Sequence, residues 1–452
     1  MIQKPEGTQD LFGELADEWQ YFQSGADFVF CETMYDQIEL PTFEQAELFT
    51  RGIGESSDIV NKEMFSVFSG GNLTKLQNGE EIADKSKFAL RPEGTASVVR
   101  AAIENNLISD TEQPYRAWYA GSMFRAERPQ KGRLREFRQI GAECLGSDNA
   151  YFDAEMINLV LSIVVSYGIS RDMVTVHLNT LGCKDCRPAW RNAVKEYIDA
   201  HSDEMCDTCV ERAEKNPLRA FDCKNEHCKQ IMQDAPKITD FLCVDCRTHF
   251  EKVKRLLNCS QIEYELDPTL VRGLDYYTRT VFECTVDAGL GAQNAIGGGG
   301  RYDNLVEELG GKPTPALGFA LGFERCYLAK KAAGFVRDKE DGPNYFLIVT
   351  SDEARNFAEQ YTMSPSSPTM IEMDFRPVKD GEPKYRSIKS QLRLANKLNA
   401  WSVIILGDEE MREQIATMKN LRTHEERKIP FSDLFDNAYM TELDLEAWED
   451  EL

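Results

Sequence analysis

The chain has 452 residues, enough for two to four domains with real cores, and 42% of them are hydrophobic, a globular value. No apolar run approaches the roughly eighteen residues that a membrane helix requires; the longest, LVLSIVVSY from Leu159, predicts a buried helix. The net charge of −24 argues against nonspecific nucleic-acid binding over the whole surface, so a polyanion would have to bind at local basic patches within a repelling field.

The N-terminus, MIQKPEGTQDLFGEL, has neither an apolar signal core nor an arginine-rich amphipathic stretch, which points to a soluble cytoplasmic protein without a membrane segment. Residues 38–55, IELPTFEQAELFTRGIGE, and 90–100, LRPEGTASVVR, precede the most informative run. That run, FRAERPQKGRLREFRQIGAE at 124–143, opens on Arg125-x-Glu127, passes a flexible basic stretch around Gly132 and returns with apolar alternation to Glu143. It predicts a hairpin of strand, mobile loop and strand. Residues 125–138 carry six basic side chains against two acidic. Arginine holds phosphate bidentately, and Phe137 offers a flat face for a base, so a triphosphate and an RNA end are natural ligands. An isolated basic hairpin reads equally well as a solvated ribbon.

Residues 153–168 show helical apolar spacing with Gly168 as the stop, and TVHLNT from Thr175 reads as a short strand. From Cys183 to Cys259 charged helices punctuated by cysteines read as an insertion. Core texture then resumes with LVRGLDYYTRTVFE (270–283), GGGGRYDNLV (297–306) and ALGFALGFERCYL (316–328). A linker, AGFVRDKEDGPN, begins at Ala333. Beyond it NYFLIVTS, PTMIEMDF and WSVIILGD are strand-like, while SDEARNFAEQYTM, YRSIKSQLRLANKL and EEMREQIATMKNL are helix-like. Such alternation predicts a small α/β domain with a mixed or parallel sheet. Residues 376–397 are locally basic; 442–451 form an acidic tail read as a solubilising or disordered end.

Eight of the thirteen cysteines lie between 183 and 246. Cys183/Cys186, Cys206/Cys209 and Cys243/Cys246 are CxxC pairs, and Cys223/Cys228 is wider. Two such turns with four thiolates make a tetrahedral Zn²⁺ site, and in a reducing compartment zinc is favoured over disulfides. The pattern allows one or two structural ions, or free thiols in a variable insertion, and does not say which pairs share an ion. Cys31, Cys144, Cys259, Cys284 and Cys326 read as ordinary buried thiols. There is no serine nucleophile elbow, no P-loop and no metal or triad pattern among the five histidines. The chemistry is therefore expected to rest on arginines, carboxylates and Mg²⁺.

The 124–143 run resembles motif 2 of the class II aminoacyl-tRNA synthetases, most closely that of the histidyl-tRNA synthetases. The other segments agree in order. Residues 38–55 look like motif 1, a long helix and strand at the dimer interface, and 90–100 like the segment between. Residues 270–283 and 297–306 resemble two peptides peculiar to histidyl enzymes, 316–328 looks like motif 3, and the C-terminal region is similar to their anticodon-binding domain. The resemblance implies an α+β fold: an antiparallel sheet flanked by helices, a cysteine-rich helical insertion and a C-terminal α/β anticodon-binding domain. The catalytic core would span 1–182 and 261–332, the insertion 183–260, the linker 333–343 and the anticodon-binding domain with its acidic tail 344–452. It further implies a homodimer that activates L-histidine with ATP and Mg²⁺, releasing pyrophosphate, and then transfers histidine to the 3′ end of tRNA(His).

Residue roles follow from the same resemblance. Arg125 would hold the α-phosphate of ATP and Arg272 would meet it from the opposite side, the two forming the catalytic pair. Arg325 would cap the adenine against Phe137 and reach the terminal phosphate, with Glu127 and Arg133 also at the ATP. Glu143 and Tyr277 match the pair that contacts the imidazole. Glu93 and Gln139 match positions holding the α-amino group, with Thr95, Tyr276 and Arg272 lining the histidine site. Glycines 297–300 would let backbone approach the small substrate, although many relatives carry Ala or Cys near the start of that run. Arg128, Gln130, Lys131 and Arg135 would face the tRNA acceptor end. Two non-catalytic readings compete: a synthetase-like regulatory subunit of ATP phosphoribosyltransferase, and a tRNA sensor. The first typically lacks the catalytic features of the RGLDYY peptide and the C-terminal domain, both present here; Arg125, Arg272 and Arg325 argue against the second.

Overall fold

The computed structural model describes residues 2–54, 57, 59–109, 113–130, 132–221, 223, 225–271, 276–287, 294–335, 342–363, 370–378, 381 and 383–434. The chain divides into two compact units, Met1–Val336 and Arg337–Leu452. Among the described residues no helix is long and apolar enough to cross a membrane.

The first unit contains strands β1 (Asp36–Gln37), β2 (Phe43–Gln45), β3 (Ser66–Val67), β4 (Phe88–Leu90), β5 (Tyr115–Phe124), β6 (Glu136–Leu145), β7 (Val174–Thr180), β8 (Glu265–Leu266), β9 (Thr278–Val286), β10 (Ala295–Arg301) and β11 (Ala316–Gly322). Eight of them form one sheet in the order β1-β5-β6-β11-β10-β9-β7-β8. The six inner strands pair antiparallel, and the two-residue edge strands pair parallel. β2, β4 and β3 make a second, small antiparallel sheet. The expected α+β class is therefore correct. So is the hairpin: β5 and β6 pair in unbroken register from Tyr115↔Leu145 to Phe124↔Glu136. The expected alternation is absent from β6: its first four residues are half-buried and its last six buried, because helices cover the outer face while the site covers the inner one.

Helices Glu14–Glu32, Ala150–Ser166 and Phe323–Ala332 supply that cover through Phe22, Phe30, Ile157, Val160, Val164 and Phe323. Phe30 stacks on Trp118 of β5 at 5.0 Å. The buried helix expected from residue 153 starts at Ala150, where Asn149 caps the Tyr151 N–H, and ends before Gly168 at φ 95°. The long helix expected within 38–55 is not there. Those residues hold β2 and the eight-residue helix Ala46–Ile53, while the long helix Glu14–Glu32 precedes them. β2 takes residues 43–45 to pair with β4, and Gly54 at φ 96° ends the helical run, so only eight residues are left for the helix.

Two buried ion pairs tie these layers. Lys330 Nζ donates to both oxygens of Glu18 (3.1 and 2.8 Å), joining the third helix to the first. Arg301, at the end of β10, donates to Asp153 of the Ala150–Ser166 helix, and His249 Nε2 lies 3.1 Å from the same carboxylate. Burial would raise the Asp153 carboxyl, but Arg301 and His249 outweigh it and hold it at about 2.

The insertion is helical, with Arg187–Ala200, Asp207–Lys215, Glu226–Gln233 and Val244–Cys259 as its α-helices. Its core around Trp190, Val194, Ile198 and Met232 is continuous with Tyr276, Tyr277 and Tyr302 of the catalytic sheet region. It therefore packs as part of the first unit and not as an appended body.

The second unit holds β12 (Tyr345–Val349), β13 (Ile371–Met373), β14 (Ser402–Leu406), β15 (Ile415–Asn420) and β16 (Glu426–Pro430), ordered β13-β12-β14-β15-β16. The first three are parallel and the last two antiparallel, so the sheet is mixed. EEMREQIATMKNL, expected to be helical, is helical only through Glu413. Gln414 turns left-handed at φ 57°, and β15 then buries Ala416 and Met418 between two strands. Pairing on both sides overrides a weak helical pattern. The acidic tail at 442–451 lies outside the described residues.

Candidate active site

A cavity of about 760 Å³ opens on the inner face of the main sheet, within the range of small-molecule sites of about 300–1,000 Å³. Thr95, Tyr119, Tyr302 and Gly318 line it, and behind them, outside the lining, Glu143 on β6 has no exposed surface. One carboxylate oxygen accepts from Thr95 Oγ1 at 2.7 Å and Tyr119 OH at 3.3 Å; the other accepts from Tyr302 OH. The carboxylate lies so close over β11 that a Cβ at Gly318 would come 1.7 Å from it, so only glycine fits there. Burial pushes the Glu143 carboxyl up to about 8, against the three hydroxyl donors and with Glu93 adding to the rise.

Around this acid stand Tyr276, Tyr277 and Tyr302, with ring centroids 4.7 and 5.6 Å apart for the pairs Tyr276–Tyr277 and Tyr276–Tyr302. Glu93 accepts from the N–H groups of Thr95 (2.6 Å) and Ala96 (2.9 Å), so its charge sits at the N-terminus of helix Thr95–Glu104. Gln139 lines the cavity, and its buried amide oxygen has no hydrogen-bond partner among the described residues. An acceptor of that kind costs free energy until a ligand donor reaches it. The glycine run has a second role besides lining the cavity with Gly297 and Gly298. A Cβ at Gly299 would come 2.0 Å from the Gly318 carbonyl, so the strand needs glycine for its own packing.

The mouth of the cavity carries the arginines. Arg125 follows β5, donates from Nε to the Pro92 carbonyl at 3.0 Å and lies 5.3 Å from the centre of the Phe137 ring. Arg325 donates to the carbonyls of Ala295 (2.7 Å) and Gly132 (3.4 Å). Arg133 pairs with Glu127 at 2.9 Å. In this state the cation over Phe137 is thus Arg125, whereas the resemblance puts Arg325 across that ring. Glu324, beside Arg325, receives the Arg138 N–H at 3.0 Å and closes the return of the hairpin. Arg128 and Gln130 are exposed, and Arg135 is held by the carbonyls of Glu127 and Glu6. Arg272 and Lys131 lie outside the described residues.

The model of the histidyl-tRNA synthetases matches residues 29–326. A histidine–tRNA ligase of Halothermothrix orenii is 42% identical over 436 residues, covering 96% of this chain and 98% of the relative. One from Desulfitobacterium hafniense is 41% identical over 437 residues, 96% of each. The chain belongs to the histidyl-tRNA synthetase family. The crystal structure of the apo histidyl-tRNA synthetase of S. aureus superposes with a TM-score of 0.77 at 30% identity, covering 96% of this chain and 99% of that one. The antiparallel sheet thus has the architecture of a histidyl-tRNA synthetase.

Within that synthetase frame the insertion shows two four-thiol clusters: Cys183, Cys186, Cys243 and Cys246, and Cys206, Cys209, Cys223 and Cys228. In each, the four sulfurs lie within 4.8 Å of one another. Separations of 3.6 Å (Cys183–Cys186), 4.0 Å (Cys183–Cys243) and 3.8 Å (Cys206–Cys223) fit the edge of a tetrahedron with metal–sulfur bonds of about 2.3 Å, roughly 3.8 Å. Backbone N–H groups of Cys243 and Cys206 point at Cys186 and Cys228 sulfurs at 3.2 and 3.3 Å, the outer contacts that stabilise thiolates. The donor set fits zinc. Of the remaining thiols Cys144, Cys284 and Cys326 are buried as expected, but Cys31 and Cys259 are exposed, because each sits on the outward face of its helix.

Sequence reasoning missed Tyr119, Tyr302 and Glu324. Tyr302 and Glu324 lay inside segments already singled out, GGGGRYDNLV and GFER; Tyr119 carried no local signal.

Proposed function

We infer that this chain is a ligase that activates L-histidine with ATP and transfers it to tRNA(His). The observation that carries the reading is the meeting, in one cavity of a histidyl-tRNA synthetase family member, of a tyrosine wall backed by the buried Glu143 with a set of arginines. By resemblance Glu143 would accept an imidazole N–H, with Tyr277 as the partner for the other ring nitrogen; a substrate lacking those groups would leave the cage unpaired. Gln139 and Glu93 would receive the α-amino group. The substrate carboxylate then attacks the α-phosphorus of ATP, and pyrophosphate leaves. Arg125 and, by resemblance, Arg272 would stabilise charge on the phosphate oxygens, with Arg325, Arg133, Glu127 and Phe137 holding the rest of the nucleotide. Mg²⁺ bound with ATP would offset the charge of the β- and γ-phosphates. Arg128, Gln130, Lys131 and Arg135 would meet the tRNA acceptor end, and the second unit would read the anticodon. The working form is proposed to be a cytoplasmic homodimer.

ATP–pyrophosphate exchange without tRNA, tried with each of the twenty amino acids, should give signal with histidine alone. Silence with all twenty from folded protein would turn the reading to the non-catalytic regulatory subunit. Intact Arg125 and Arg325 in one cavity, with Glu143 buried behind its wall, favour the enzyme.

The two thiol clusters are proposed to hold one structural Zn²⁺ each, which would staple the insertion and take no part in the chemistry. Protein purified without added zinc should carry two equivalents, and chelation should lower its melting temperature. Less than about a tenth of an equivalent would refute this, since zinc bound by four thiolates is not lost on purification.

A further inference from the structure

The insertion does more than pack beside the site. Arg212 and Arg219 line the same cavity as Arg125 and Tyr276, as do Cys206 and Cys223. Both arginines are half-buried and lie on the chain between Cys209 and Cys223, one on helix Asp207–Lys215 and the other in the turn Pro217–Ala220. Arg212 Nη1 donates to the Arg219 carbonyl at 3.2 Å, which locks the helix and the turn together. Charge makes their position meaningful. Among the described residues lining the cavity, the catalytic core contributes three cations (Arg125, Arg133, Arg325) against five carboxylates (Glu63, Glu93, Glu127, Glu283, Glu324). Arg133 is moreover paired with Glu127. The described core lining alone, with that balance in a chain of net charge −24, offers a polyanion no net attraction. The insertion raises the cations to five.

We propose that Arg212 and Arg219 form a phosphate-binding wall of the catalytic cavity, held in place by the metal at the Cys206, Cys209, Cys223 and Cys228 cluster. The proposal rests on the ligase and zinc readings above. Four thiolates on one ion close the loop that carries both guanidiniums, so the metal acts on the reaction through position and touches no substrate. The phosphates come from one of two sources, the triphosphate of ATP or the phosphodiesters of the tRNA 3′ end.

The test uses the full-length zinc-loaded protein and the double variant Arg212→Gln/Arg219→Gln. The KM values for ATP and pyrophosphate are read in exchange without RNA, and the KM for a tRNA(His) transcript in aminoacylation. A charge-assisted hydrogen bond is worth about 1.5–3 kcal/mol, so at least one of these constants should rise about tenfold or more. A rise in the exchange assay assigns the wall to the nucleotide; a rise confined to aminoacylation assigns it to the RNA end. Unchanged constants throughout, from protein with two zinc equivalents and an unaltered melting temperature, overturn the proposal. Cys223→Ser tests the metal link. It should carry one zinc equivalent, reproduce the same KM rise, and add nothing further in the double-arginine background. Loss of the ion with no change in KM overturns the link. Should Cys223→Ser fail to fold, chelation of the wild-type protein, followed by binding of ATP and of the tRNA(His) transcript at equilibrium, gives the same two outcomes. Wild-type protein that lacks zinc altogether but responds to the arginine changes would defeat the metal reading alone.

Discussion

Glu143→Gln should make the ligand-free protein more stable than wild type at alkaline pH and at the same time cripple histidine capture. Glu143 is wholly buried, and burial lifts its carboxyl from the usual range to about 8. A carboxyl whose folded pKa is raised contributes its stability in full below about 4.5 and loses it as pH climbs through about 8, because the unfolded chain ionises first. The difference amounts to at most about 5 kcal/mol above pH 8. Glutamine has no proton to lose, so thermal melts at pH 5.5 and pH 9 should show the variant gaining on wild type as pH rises. A constant gap across that range would mean that Glu143 is ionised throughout in the folded protein. Capture of histidine should move oppositely. An amide offers the imidazole N–H a weaker acceptor, and losing a hydrogen bond to a charged group of about 1.5–3 kcal/mol should raise the histidine KM by roughly 10- to 100-fold. The wild-type KM should fall as pH rises toward 8 and Glu143 ionises, and that slope should vanish in Glu143→Gln. An unchanged KM would remove Glu143 from the substrate pocket.

The second large effect is expected from Arg125→Ala. Losing a positioned donor to the charge that develops in a transition state costs about 10²- to 10³-fold in rate, with little effect on ground-state binding. Single-turnover adenylate formation should fall by that factor, while histidine affinity measured by calorimetry should stay near wild type. Arg125→Lys should recover only part of the rate, since an ammonium restores the charge but not the planar fork. Equal loss of rate and histidine affinity would mean that Arg125 serves mainly to pack on Phe137 and hold the Pro92 carbonyl, the contacts it makes without ligand.

Local rules carried much of the fold. Asn149 and Gly168 bracket a helix because a cap and a left-handed stop act within one turn of chain. The 124–143 run returns as a hairpin because β6 pairs with β5 residue for residue, although neither arm alternates in burial. Local rules failed at 409–421, where a helical pattern lost to strands on either side of β15, and at 38–55, where pairing of β2 with β4 and the stop at Gly54 left eight helical residues. They were also silent on which cysteine turns share an ion, since sequence spacing alone does not say which turns meet across the insertion.

By itself the sequence singled out the candidate groups, a run of arginines, an acid on the return strand and tyrosines after residue 275, and beside them the eight clustered thiols. Only the tertiary structure decided what surrounds each one. Thr95, Tyr119 and Tyr302 reach Glu143 from positions 48, 24 and 159 residues away along the chain. Arg212 and Arg219 face the cavity because the insertion shares its core with Tyr276, Tyr277 and Tyr302. The reason is physical: hydrogen bonding, desolvation and charge balance depend on distances through space, and sequence spacing reports those distances only within a helix turn, a strand or a hairpin.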